Sequence, residues 1–191
     1  MISIASLLID YNMYLLSTCA FILSLLFFSN IAHEKKLIHP ELNRRIVHVF
    51  IGLLISSSTL IFSSNFFPVI IGISFILVNS ISFKINAFPG IHAQKRESYG
   101  TIYFPLSYSI IVLFFWEESN FVMTSLFILS LSDPIAGYVG DKLGFSKEFK
   151  IWYDKKTFLG TLTFILITII ILSLNVFYYQ KYNLIQSILF V

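Results

Sequence analysis

Three groups of residues in this sequence have types and spacings suited to holding an anion. The first is Asn43-Arg44-Arg45-Ile46-Val47-His48, followed by Gly52. His48 lies i+4 from Arg44 and i+3 from Arg45, so a helix would bring the three to one face. Two guanidiniums beside an imidazole suit a phosphate, because the planar Arg fork matches phosphate oxygens and keeps its charge. A basic collar at a membrane boundary would explain the arginines, but it does not ask for a histidine one turn into an apolar run. The second group runs from His92 through Lys95, Arg96, Glu97, Tyr99 and Gly100 to Thr101, then into Phe104 and Pro105. Lys95 and Arg96 suit phosphates, or simply a solvated loop. Tyr99-Gly100 makes a turn, Pro105 falls in the first turns of the next helix, and His92 has no special neighbour.

The third group spans 132–161, SDPIAGYVGDKLGFSKEFKIWYDKKTFLGT. On a straight helix from Asp133, positions 137, 140, 141 and 144 fall within about 100° of one another at roughly 100° per residue. Gly137, Gly140 and Gly144 would form a groove without side chains, with Asp133 at its head and Asp141 on its rim. Such a groove admits a ligand or the backbone of a packed helix. Asp before Pro is a good N-cap and N1 pair, so a fresh helical segment is expected to begin at Asp133. A carboxylate half-way along an apolar segment is costly and needs a partner. A divalent cation carrying nucleotide phosphates would supply one, since Mg²⁺ takes one or two carboxylates plus phosphate oxygens. Asp133 and Asp141 are therefore the metal candidates. Downstream, Lys155, Lys156 and Thr157 precede an apolar run that opens with Gly160 and Thr161, and lysines beside a helix N-terminus form an anion site.

The elements that must position these groups are membrane helices. Of the 191 residues 57% are hydrophobic and only 12% charged, too little polar surface for a soluble domain. The expectation is an all-α polytopic membrane protein, one integral domain over 1–191. It would be a bundle of about six transmembrane helices at 11–31, 46–63, 66–83, 101–117, 119–140 and 158–179. Ser63-Ser64-Asn65 would be the turn of a helical hairpin. Residues 2–9 and 184–191 are too short to span and are expected at the interface or on the bundle. No Lys or Arg precedes the first apolar run, so the first helix is expected to be retained and not cleaved as a signal peptide. Cys19, the single cysteine, lies in an apolar run, which leaves no disulfide framework or cysteine metal cluster.

Charge placement orients the chain. Lys35, Lys36, Arg44 and Arg45 follow the first span, Lys84, Lys95 and Arg96 the third, and Lys142, Lys147, Lys150, Lys155 and Lys156 the fifth. The other side has Lys181, with Asp10, Glu117 and Glu118. Twelve of the thirteen basic residues thus share one side, which the positive-inside rule assigns to the cytoplasm, with both termini on the opposite side. The sequence has no GxxxxGK[ST] loop, GxGxxG fingerprint, HExxH or nucleophile elbow. Nucleic acid is not an expected partner, because the basic residues flank spans and line no soluble surface.

Together the groups resemble the polyprenol kinase family, which includes phytol kinase, dolichol kinase and the CTP-dependent diacylglycerol kinase. The matching pieces are Arg44-Arg45-Ile-Val-His48 with Gly52, Arg96-Glu97-Ser-Tyr99-Gly100-Thr101-Ile-Tyr-Phe104-Pro105, Ser132-Asp133-Pro134-Ile-Ala136-Gly137 with Gly140 and Gly144, and Lys156-Thr157-Phe-Leu-Gly160-Thr161. Their order and spacing agree over about 40–165. An acidic, Asp-Asn-containing motif that commonly follows the Lys-Thr piece in the family has no counterpart here. The resemblance, strongest toward phytol kinase, implies transfer of the γ-phosphoryl of a nucleoside triphosphate, typically CTP, to the hydroxyl of a membrane lipid alcohol. It implies Asp133 for Mg²⁺ or nucleotide phosphate, and Gly137, Gly140 and Gly144 for admitting the nucleotide. Lys156, Thr157, Arg44, Arg45, His48 and Arg96 would line the same phosphates, with His48 or Asp133 accepting the alcohol proton. Two other readings stay open: a phosphatidate cytidylyltransferase-like enzyme, and a membrane transporter or non-catalytic subunit using Asp133 as an ion site.

Overall fold

The computed structural model describes residues 4–85, 100–143, 148–151 and 154–189. Its helices are α1 (Ile4–Glu34), α2 (Pro40–Ser56), α3 (Ser58–Ile61), α4 (Phe66–Ile85), α5 (Gly100–Phe115), α6 (Ser119–Lys142) and α7 (Phe158–Leu189). Between α6 and α7 lies a small antiparallel hairpin, β1 (Glu148–Ile151) and β2 (Asp154–Thr157). The all-α expectation therefore holds for the spans but not for the basic loop that joins the last two helices.

Three helical stretches are long and apolar enough to cross a membrane: Met13–Glu34, Ser119–Lys142 and Phe158–Tyr178. Two shorter apolar helices, Phe66–Ser82 and Gly100–Phe115, accompany them. These helices mark a membrane protein. The second expected span differs most. Its helix starts early, at Pro40, because proline at the first helical position gives up only an N–H that has no partner anyway. It stops at Ser56, and the four-residue α3 follows. The Ser63-Ser64-Asn65 turn does separate α3 from α4. At the ends, α1 runs unbroken from Ile4 and α7 continues to Leu189, so neither terminal apolar stretch is a separate element.

The expected restart at Asp133-Pro134 is also corrected, since α6 passes through Pro134 as one helix. Pro134 has no N–H to give the Ser130 carbonyl four residues back, yet apolar membrane helices tolerate such a missing rung.

The chain divides into two compact units, Met1–Leu126 and Phe127–Val191, with the boundary inside α6. In the first unit, Ile55, Tyr108, Val112, Val122 and Leu126 form one buried cluster. Ile22, Leu26 and Val47 form another, which joins α1 to α2. The seam between α4 and α5 is close. A Cβ at Gly72 would run into Ser109 Oγ, with Tyr108 Cδ1 only 3.1 Å away, so glycine is what lets these two helices touch. In the second unit, α6 and α7 meet at Ala136, Gly140 and Gly160.

Candidate functional site

In the first unit the candidate anion-binding residues ride on α2, and two contacts on opposite sides of that helix set their direction. Asn43 is buried, and its Nδ2 donates to the Ser29 carbonyl of α1 at 2.8 Å. Arg44, Arg45 and His48 lie about 100–200° round the helix from Asn43, away from α1. On that side the His48 ring packs on Phe104 of α5, with centroids 4.2 Å apart and planes tilted by 46°. The first two sequence groups are therefore brought together, through His48 and Phe104.

Glu41 organises the cations. Its Oε2 lies 3.2 Å from Arg44 Nη2 and 4.0 Å from Arg45 Nη2. The Arg45 side chain is only 11% exposed, so its guanidinium is largely withdrawn from bulk water. The ion pairs are short-range helical ones, worth a few tenths of a kcal/mol each (roughly 0.3–0.5 for exposed pairs). Their use is geometric: one carboxylate gathers two guanidiniums on the face that carries His48. A phosphate offers the same forks more oxygens and more charge. Glu41 was missing from the sequence reading, although its spacing of three and four residues before Arg44 and Arg45 is a visible signal. Arg96, Lys95 and His92 lie outside the described residues.

In the second unit the Lys-Thr piece is built by the hairpin. The register pairs Glu148 with Thr157, Phe149 with Lys156, Lys150 with Lys155 and Ile151 with Asp154. Phe149 and Phe158 pack with ring centroids 4.9 Å apart, which fastens β1 to the first residue of α7. Thr157 is the N-cap of that helix: the Gly160 N–H donates to Thr157 Oγ1 at 3.1 Å, and Thr161 Oγ1 donates to the Thr157 carbonyl at 3.1 Å. Lys156, one residue earlier, is exposed.

The glycine face of α6 is partly taken by α7. A Cβ at Gly140 would lie 2.6 Å from Thr157 Oγ1 and 3.6 Å from Gly160 Cα, and one at Gly160 would lie 3.0 Å from the Ala136 carbonyl. Gly140 thus serves helix packing, and the structure brings it together with Thr157 of the fourth piece. Gly137 is half-buried, and Gly144 lies outside the described residues. About two turns from Gly140 and Gly160, the Thr168 hydroxyl donates to buried Ser132 Oγ at 3.3 Å.

Asp133 and Asp141 are both exposed on the protein surface within this unit. They stand eight residues apart on a continuous helix, about 12 Å along its axis at ~1.5 Å per residue, too far for one ion to bind both directly. Among the described residues no group of three or more His, Cys, Asp or Glu side chains could hold a metal. Asp133 alone still fits the Mg²⁺ pattern in which one carboxylate and the substrate phosphates share the ion.

Comparison with known proteins finds relatives named phytol kinase. The chain is 27% identical over 163 residues to a probable phytol kinase 2, chloroplastic, of Glycine max, covering 81% of this chain and 53% of that protein. It is 24% identical over 139 residues to the phytol kinase of Synechocystis, covering 70% of this chain and 59% of that one. It is 28% identical over 163 residues to phytol kinase 1, chloroplastic, of Arabidopsis thaliana, covering 78% and 52%. The chain spans about half the length of the curated relatives it matches. No family profile matches the chain. No solved structure matches it either. The resemblance to the polyprenol kinase family, and within it to phytol kinase, holds over most of this chain.

Proposed function

We propose that the protein phosphorylates the hydroxyl of a membrane lipid alcohol, such as phytol or another polyprenol, using a nucleoside triphosphate. CTP is the donor named by the family resemblance. The observation that carries the reading is the Arg44-Arg45-His48 face of α2, gathered by Glu41 and laid against Phe104, in a chain similar to phytol kinases. Phosphoryl transfer needs little covalent help from the protein and depends on positioning and neutralisation of charge. Arg44 and Arg45 would hold phosphate oxygens as Glu41 is displaced. His48, half-buried beside them, is within one turn of both and would take the alcohol proton as the new O–P bond forms and the bond to the nucleoside diphosphate breaks.

In the second unit, Asp133 would hold Mg²⁺, and exposed Lys156 would meet phosphate. Bound there, the ion supplies charge neutralisation on the transferring phosphoryl group. Gly137 and Gly144, with Arg96 of the third loop, complete the proposed nucleotide residues, while Gly140 and Thr157 support them through packing and capping. The polar groups would face the cytoplasm, with six crossings and both termini outside, following the distribution of Lys and Arg.

The test is a panel of γ-labelled CTP, ATP and UTP against phytol, longer polyprenols and diacylglycerol in membranes containing the protein. Label entering an extractable lipid, with nucleoside diphosphate as co-product, is expected. Pyrophosphate release with transfer of the nucleotidyl group would instead make the protein a cytidylyltransferase. No label in any lipid would leave the transporter or subunit reading.

A further inference from the structure

Pro105 sits inside α5, past the first turn of a helix that begins at Gly100. It is therefore not in the position where a missing N–H costs nothing. In a regular helix the N–H of residue 105 would donate to the Thr101 carbonyl, and proline removes that donor. The structure supplies another: Asn79 Nδ2 of α4 donates to the Thr101 carbonyl at 2.8 Å. Asn79 lies two turns from Gly72 on the face of α4 that packs on α5, and Gly72 contacts Ser109 two turns from Thr101. The seam is thus pinned at two heights, by close approach at Gly72–Ser109 and by an amide at Asn79–Thr101. At Ser109 the side chain donates to the Pro105 carbonyl at 2.8 Å. Phe104, the ring against which His48 lies, falls between Thr101 and Pro105, within the turn that Asn79 holds.

We propose that Asn79 is a positioning residue: its side-chain amide replaces the backbone N–H that Pro105 lacks, fixes the opening turns of α5, and so sets Phe104 against His48. The consequence for activity rests on the lipid-alcohol kinase reading, in which His48 touches the reacting hydroxyl. The local claim does not rest on it.

A compensation experiment in the full chain tests both. Asn79→Leu removes the donor, Pro105→Ala restores the helical N–H, and the double variant carries both changes. The first readout is the His48 imidazole resonance in labelled protein, assigned by comparison with His48→Gln, because a ring at 4.2 Å shifts it strongly. Asn79→Leu is expected to move this signal to the value found in Phe104→Leu, Pro105→Ala to leave it in place, and the double variant to return it. The second readout is phosphoryl transfer: Asn79→Leu should lower kcat by roughly tenfold or more with little change in the nucleotide KM, and the double variant should recover it. If Asn79→Leu does not accumulate, recovery of abundance in the double variant is the expected compensation. An unmoved His48 resonance in Asn79→Leu, or a double variant no better than the single one, overturns the proposal. If the wild type transfers no phosphate, the kinase reading fails and the resonance alone decides the role of Asn79.

Discussion

At the residue scale, the polar side chains near the Asp-Pro and Lys-Thr pieces divide by what their atoms already hold. Thr157 Oγ1 is engaged as the cap of α7. Thr157→Val should therefore lower stability by about 1 kcal/mol, the usual cost of a lost N-cap oxygen, while Thr157→Ser should keep it; thermal denaturation of the purified protein checks both. Asp133 is different, an exposed carboxylate on an apolar helix whose packing does not depend on it. Asp133→Asn keeps the shape and loses the charge, so transfer should fall by at least about a hundredfold while insertion and abundance stay near normal. Turnover within a few fold of wild type would remove Asp133 from the proposed metal role. The Arg44-Arg45-His48 face was legible in the sequence because helical geometry alone puts those three together. The Phe104 contact was not, since nothing local says which distant helix will cover a given face.

Helices and their junctions explain the other differences. Alternation in Glu148-Phe149-Lys150-Ile151 is a strand signal, but it lay within a lysine-rich stretch that equally fits a solvated collar, and only pairing with Asp154–Thr157 makes it a hairpin. The glycine stripe was legible as a close approach, with ligand and helix both admissible. At Gly140 the close approach is to Thr157 and the Gly160 backbone of α7. Gly140→Leu should accordingly destabilise the α6–α7 pair, by about 1–3 kcal/mol as for other overpacked sites, because its side chain meets Thr157 and the Gly160 backbone. Protease protection of the 127–191 region should drop with it. A fully protected variant that had lost only nucleotide affinity would return Gly140 to the ligand side. The helix runs on through Asp133-Pro134 for a general reason: the same dipeptide caps a helix in water, whereas an apolar environment favours keeping every other rung of the ladder intact.

For the whole molecule, the number of crossings turns on α2. α1 ends next to Lys35 and Lys36, α4 carries Lys84 in its last turn and α6 carries Lys142 in its last turn. If all three ends face the cytoplasm, the chain must recross between α1 and α4, and only α2 with α3 can do it. α2 has 17 residues, about 25 Å at ~1.5 Å per residue, a few ångström short of a hydrocarbon core of roughly 30 Å. The short α3 and the apolar Phe62 then have to complete the crossing. Cysteine labelling decides this, in a Cys19→Ala background so that each introduced thiol is the only one. A membrane-impermeant maleimide applied to intact cells should modify Asn65→Cys and Glu118→Cys and spare Lys35→Cys, which should react only after permeabilisation. Protection of Asn65→Cys together with Lys35→Cys would mean that α2 lies along the cytoplasmic surface. Arg44, Arg45 and His48 would then present their face to the headgroup layer, and the lipid hydroxyl would have to rise to them.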